Sequence, residues 1–224
     1  MKVIFKKMII FFLFLLGLTP ILHAQIAVRS IGLGGGIYNP NMDYWNDNAL
    51  NSWTEEFNNG MYGNANIEIS IASFVSCRID AGYWSQSLTQ ANIPFGNETR
   101  SDEISVQLIP VSFDLLFTTP ETFDNYFRIY TGIGVGINFI NMKFTTSIPS
   151  LGTFEEEHGG RDLYGHLILG FDYEIFESIA LGIEGRYIYG RYLQQADVNY
   201  ITYGNLVDIS GPQIMGTVKY LFHE

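Results

Sequence analysis

From Phe127 to Phe139, apolar and polar positions alternate without a slip. Odd positions carry Phe127, Ile129, Thr131, Ile133, Val135, Ile137 and Phe139, and even positions carry Arg128, Tyr130, Gly132, Gly134, Gly136 and Asn138. A period of two sustained over this length predicts a β-strand with two unlike faces. Met61 to Ser73 repeats the pattern, with Ala65, Ile67, Ile69 and Ile71 against Asn64, Asn66, Glu68 and Ser70. So does Leu163 to Ile175, where Leu163, Leu167, Leu169, Phe171, Tyr173 and Ile175 oppose Tyr164, His166, Asp172 and Glu174. The same test predicts strands over Ile31 to Tyr38, Cys77 to Leu88, Glu103 to Phe117, Ile179 to Tyr192 and Gly211 to Phe222, eight in all. Within Glu103 to Phe117 the apolar set moves from Ile104, Val106 and Leu108 to Val111, Phe113, Leu115 and Phe117. Proline donates nothing to a ladder, so a bulge at Ile109–Pro110 is the expectation.

The connections alternate as strictly as the residues. Long ones at 41–60, 89–102, 143–160 and 193–209 are separated by shorter ones at 75–76, 118–125 and 177–178. In an up-and-down barrel alternate connections share a rim, so four long loops gather at one end and the turns and both termini at the other. Short periplasmic turns and long extracellular loops are the layout of outer-membrane barrels.

Residues 1–24 look different. Lys2, Lys6 and Lys7 precede an apolar run from Met8 to Leu18, then Thr19-Pro20 and a small-residue exit at Ala24. That order predicts a secretory signal peptide cleaved after Ala24, leaving a barrel domain over 25–224. The apolar run is too short for a spanning helix, and no longer one follows it, so any membrane crossing by the remainder must use strands. Removing three lysines from 12 basic and 23 acidic residues leaves 9 basic groups and a net charge of −14. Nucleic acid is excluded as a partner, because phosphate binding needs a clustered cationic face. The single cysteine, Cys77, forms neither an internal disulfide nor a metal cluster by itself.

Charge also decides which face looks inward. A soluble lipocalin-like barrel has the same period with the faces exchanged, but its exterior would be rich in Lys, Glu and Arg. After residue 24 only Lys143 and Lys219 remain as lysines, and the polar face is largely Gly, Ser, Asn and Tyr with a few charges. Such a face suits the narrow interior of an eight-stranded barrel. The predicted interior polar network is Glu68, Arg78, Asp80, Asp114, Arg128, His166, Asp172, Glu184, Arg186 and Lys219. These charges are expected to pair with one another rather than form an ion path, since eight strands leave little lumen. Aromatic residues near strand ends, among them Tyr83, Phe117, Phe139, Tyr173, Tyr187 and Tyr220, fit interfacial girdles.

The stretch Leu108-Ile-Pro-Val-Ser-Phe-Asp-Leu-Leu-Phe117, followed by Phe127-Arg-Ile-Tyr-Thr-Gly-Ile-Gly-Val-Gly-Ile-Asn138, resembles the outer-membrane β-barrel family of Bacteroidota, the PorT-like group of OmpX/OmpA-like barrels. An apolar-Pro-apolar strand followed by a Gly-rich strand carries the resemblance, and the Ala24-Gln25 junction looks like that phylum's secreted proteins. It implies a small integral outer-membrane protein without shared catalytic residues.

Other constellations have bland readings. Gly32, Gly34 and Gly36, like Gly132, Gly134 and Gly136, lie at strand period with no helix following, so they are relief from crowding and not a phosphate cradle. No serine stands in a nucleophile motif beside His158, His166 or His223, and the acidic run Glu155–Glu157 lacks the calcium-loop spacing. The sequence therefore predicts an all-β, eight-stranded antiparallel up-and-down transmembrane barrel, monomeric, non-enzymatic and without cofactor or metal. Its partners are outer-membrane lipid and, through the long loops, proteins or glycans. Tyr44, Trp45 and Trp53 of the first loop are the candidate contacts, because exposed Trp and Tyr serve as binding anchors. A lipid-modifying enzyme and a narrow channel remain as alternatives.

Overall fold

The computed structural model of the chain describes residues 26–42, 46, 53, 55–119, 126–198 and 201–222, with the backbone alone at 192–198 and 201–206. The predicted signal peptide, Tyr44 and Trp45 lie outside these residues. Ten strands follow in order: β1 (Ala27–Tyr38), β2 (Gly60–Ala72), β3 (Val75–Phe95), β4 (Glu98–Thr118), β5 (Phe127–Ile148), β6 (Gly152–Phe176), β7 (Ile179–Tyr189), β8 (Arg191–Val198), β9 (Ile201–Asp208) and β10 (Gly211–Leu221). Eight of them close into an antiparallel barrel in which each strand pairs with its neighbours in sequence, and β10 closes on β1 from Ser30↔Leu221 to Tyr38↔Gln213. β8 and β9 form a separate hairpin.

The faces fall as the charge argument requires. Ile133, Val135, Leu167 and Leu169 are 56–67% exposed on the outer wall, while Glu68, Asp114 and Glu184 inside are 0% exposed. No described helix is long and apolar enough to cross a membrane. The wall is a belt of aliphatic side chains bounded toward the turn end by Phe117, Tyr173, Phe176 and Tyr220, and toward the loop end by Tyr83, Phe139, Tyr187 and Tyr189, all exposed. Such a surface requires hydrocarbon around it.

Three expectations are corrected. First, no bulge exists at Ile109–Pro110: the β4–β5 ladder runs through Ile109↔Phe139, Pro110↔Asn138 and Val111↔Ile137 without a shift. The apolar set changes position because the interior changes. Even positions of β4 face inward throughout, but Ser112 and Asp114 give way to Leu108, Val106 and Ile104 toward the loop end. The outward face changes in the opposite sense. Phe113, Val111 and Ile109 give way to Gln107, Ser105 and Glu103. The neighbouring strand behaves alike, with Ile137 and Phe139 followed outward by Asn141 and Lys143 while Ile140 and Met142 turn in. The sheet passes from lipid into water at that level and inverts its polarity.

Second, 89–102 and 143–160 are not loops. They continue as ladders from Thr89↔Glu103 to Phe95↔Glu98 and from Lys143↔Glu157 to Ile148↔Gly152. β3 to β6 thus raise a four-stranded sheet roughly 20 Å beyond the aromatic girdle, taking 3.3 Å per residue and a barrel tilt of about 40°. Third, the region 193–209 is mostly the β8–β9 hairpin, and β7 ends at Tyr189.

The inversion predicts unequal responses on one face of β5. Ile133→Arg, in the middle of the belt, should lower barrel stability by about 2–4 kcal/mol, whereas Asn141→Arg should leave it within about 0.5 kcal/mol. Denaturant unfolding in lipid vesicles, followed by Trp fluorescence, measures both.

Candidate functional site

The lumen is filled in two layers. Toward the loop end, Tyr38, Tyr62, Trp84, Leu108, Met142 and Ile188 meet in one apolar cluster, which Met42 and Phe57 of the first loop and Val207 and Ile209 of the last close from above. Asn46 fixes Phe57 there through both amide atoms: its Nδ2 donates to Phe57 O at 2.9 Å, and Phe57 N donates to its Oδ1 at 2.9 Å. Tyr38 OH donates to Ile209 O, tying the last loop to β1. Trp53 is half-buried against this cluster.

Beneath it lie all ten residues of the predicted polar network, joined by contacts into one continuous chain. Arg186 donates through Nη1 and Nη2 to Asp80 at 3.1 and 2.9 Å and through Nε to Glu184 at 2.6 Å. Arg78 grips Glu184 with both terminal nitrogens at 2.5 and 3.0 Å and gives its Nε to Asp114 at 2.9 Å. His166 Nε2 stands 3.0 Å from Asp114 Oδ1, its ring stacked on Tyr164 at 5.5 Å. Toward the turn end, Lys219 donates to Asp172 at 2.8 Å, Arg128 Nη1 approaches Asp172 at 3.6 Å, and Arg128 clamps Glu68.

Sequence reasoning passes over the residue that bridges the two halves. Tyr130 OH donates to Glu184 at 2.6 Å and accepts from Lys219 Nζ at 3.1 Å, while its ring lies 4.5 Å from that ammonium and 5.0 Å from the Arg128 guanidinium. Its even position in β5, between Arg128 and Gly132, is the signal. Ser76, Ser112 and Asn64 also join, donating to Glu68, Asp114 and Asp80 at 2.6, 2.9 and 2.5 Å. Glycine provides the room. A Cβ on Gly134 would collide with Asp114 and His166, and one on Gly170 with the Tyr130 ring.

Ser112, Asp114 and His166 superficially supply a serine, an acid and a base. In a catalytic triad the histidine stands between serine and acid. Here Asp114 stands in the middle, and all three are buried under the apolar cluster. Arginine forks gripping buried carboxylates in a narrow space make a structural brace. No group of metal-binding side chains stands among the described residues.

The other chemistry lies outside, on the raised sheet. Lys143 Nζ meets Glu155 at 2.8 Å, and Asn141 donates to Glu157 at 2.6 Å. The hydrogen bond from Lys143 to Glu155, reinforced by the nearby Glu157 and Glu103 charges, holds its ammonium pKa above the ordinary lysine value. The tips of the two hairpins touch, Ser150 N donating to Glu98 at 3.1 Å.

No protein-family model matches the chain, and no curated protein does. Among solved structures it is similar to the outer membrane protein OprG from Pseudomonas aeruginosa, at 14% identity and a TM-score of 0.53 over 88% of this chain and 97% of that one. It is also similar to a major outer membrane protein from Thermus thermophilus, at 12% identity and a TM-score of 0.50 over 88% of this chain and all of the other. The chain is a transmembrane β-barrel of the outer-membrane type. At these identities the likeness establishes the fold, and the lipid-facing belt agrees with it: barrels of this kind reside in outer membranes.

The brace predicts that removing one partner of a buried pair is costly. Arg78→Met, which takes one of its two arginines from Glu184 and its only arginine from Asp114, should destabilise the barrel by about 3 kcal/mol, well beyond Arg100→Met on the raised sheet. Urea titration of the refolded variants, read by heat-modifiable gel mobility, makes the comparison.

Proposed function

We propose that this outer-membrane barrel works as a non-catalytic surface protein, anchored as a monomer by its lipid-facing belt and acting through what it holds above the membrane. Among the described residues the lumen is packed with side chains, apolar toward the loop end and ion-paired below, and this carries the reading, because an eight-stranded interior is only as wide as side chains can fill. The raised sheet of β3 to β6 and the first loop, including Trp53 with Tyr44 and Trp45, form the contact surface for proteins or envelope glycans. Residues 1–24 serve export. Kinship with the PorT-like group rests on the Leu108–Phe117 and Phe127–Asn138 motifs, which form the paired segments of β4 and β5.

Planar-bilayer recording on the refolded chain should show no unitary conductance. Lipid hydrolysis should stay at the level of empty micelles and be unaffected by His166→Ala. Stable conductance steps would make the protein a narrow channel, and His166-dependent turnover an enzyme.

A further inference from the structure

The sheet raised by β3 to β6 ends in two turns, 93–99 between β3 and β4 and 148–154 between β5 and β6. The two touch, through Ser150 N and Glu98 Oε2. Turns that meet water are built mainly from Gly, Pro, Asn, Asp and Ser. Of these fourteen residues seven are apolar and one, Glu98, is charged. Phe95, Leu151 and Phe154 are 43, 59 and 55% exposed, and Pro94 and Pro149 are exposed beside them. On the raised sheet these three are the large apolar side chains left in water, and all stand at its far end. A contiguous apolar patch held clear of the rest of a surface marks a contact site with protein or membrane.

Backbone chemistry and size choose between the two. Pro94 and Pro149 carry no amide, while Ser150 N donates to Glu98 Oε2 and Leu151 N to Ile148 O, each at 3.1 Å. Every donor of 149–151 is therefore accounted for, as a turn entering a medium poor in water requires and a turn in water does not. Gly96 at φ 61° and Gly152 at φ 90° take the left-handed conformations that keep both turns tight. A stable protein interface takes about 20–30 residues a side, more than the two tips present. A lipid surface takes only a few large apolar side chains, sunk about 5–10 Å. The first charged side chains behind the tips, half-buried Arg100 and exposed Glu155, set that limit.

We infer that the joined tips dock on the surface of a second membrane, with Phe95, Leu151 and Phe154 entering its headgroup region. This inference rests on the surface-interaction reading and gives that contact a lipid partner. The barrel's own bilayer is out of reach, because the sheet carries the tips roughly 20 Å beyond the aromatic girdle. Charge selects the kind of membrane. Asp102, Glu103 and Glu155 to Glu157 stand directly behind the tips, against Arg100 and Lys143. An anionic surface is therefore repelled as the tips approach, and one of uncharged headgroups is accepted.

The test holds the full refolded chain in nanodiscs of uncharged lipid and adds phosphatidylcholine vesicles, followed by flotation, with empty nanodiscs as the blank. The vesicles should carry the chain with them, and Phe95→Ser/Leu151→Ser/Phe154→Ser should weaken that binding at least about tenfold. An environment-sensitive dye on Leu151→Cys, in a Cys77→Ser background, should shift to the blue and be quenched when the vesicle lipid alone is brominated. Vesicles with phosphatidylglycerol added should bind more weakly. No flotation, or flotation that the triple variant retains, would overturn the site. An unquenched dye would overturn insertion, and tighter binding to the anionic vesicles would overturn the choice of lipid. Heat-modifiable mobility of each variant verifies its folding. Bilayer conductance of the same preparation reports separately on the surface-interaction reading.

Discussion

Closure of the sheet between β1 and β10 is the constraint from which the rest follows. In hydrocarbon an unpaired backbone N–H or C=O has no water to turn to, and each one costs several kcal/mol, so a spanning sheet must leave no edge. The pairing of Ser30 to Tyr38 with Gln213 to Leu221 removes it. Eight strands closed in this way leave an interior only as wide as side chains can fill. Inward positions are then largely glycine, small, or locked to a neighbour, and Leu116 and Ile168 pack as an apolar pair against Tyr130. Arg78, Glu184, Arg186 and Asp80 are locked; Gly134 and Gly170 are the gaps that let Asp114, His166 and Tyr130 fit. With the lumen proposed as a brace, attention moves to the parts of the chain where the barrel no longer has lipid around it.

Above the girdle the constraint relaxes. Water satisfies a free edge, so β3 to β6 run on after β7 and β2 have ceased to pair with them, and a four-stranded sheet stands free. A free edge in water is an aggregation hazard that proteins normally suppress. On β3 it is suppressed by the register shift between Gln90 and Ile93 and by Pro94, which offers no amide, and on β6 the run Glu155–Glu157 disfavours pairing with like sequences.

Much of this was legible in the residue pattern. Period two located all eight barrel strands, and the scarcity of lysine together with Gly and Asn on the polar face identified the interior. What the pattern concealed was a change of solvent along a strand. Ile104, Val106 and Leu108 alternate as cleanly as Val111, Phe113 and Leu115, but they are buried in the lumen while the latter face lipid. With one solvent assumed, the shift of parity at Pro110 demands a bulge, and the polar outward residues Ser105, Gln107, Asn141 and Lys143 look like the start of loops. Pairing partners were hidden for a different reason. Arg78 and Glu184 are 106 positions apart in sequence and meet across the lumen, a relation that only closure and register create.

The two interiors of this barrel obey one rule applied in two solvents. In water, apolar side chains gather because leaving water is favourable, and a cluster such as Trp84, Leu108 and Met142 holds itself together. In the bilayer that force is absent between the lumen and the wall, because a leucine inside gains nothing over a leucine against lipid tails. Only directed interactions can hold the inside of the spanning segment to a single arrangement. Ion pairs meet that need, since a charge released from its partner there faces hydrocarbon or a sealed lumen and not solvent. The placement of Tyr130, Arg78 and Glu184 within the belt and of Trp84, Leu108 and Met142 at and beyond its loop-end girdle is thus one choice made twice. Each layer is held by the interaction that its surroundings make strong.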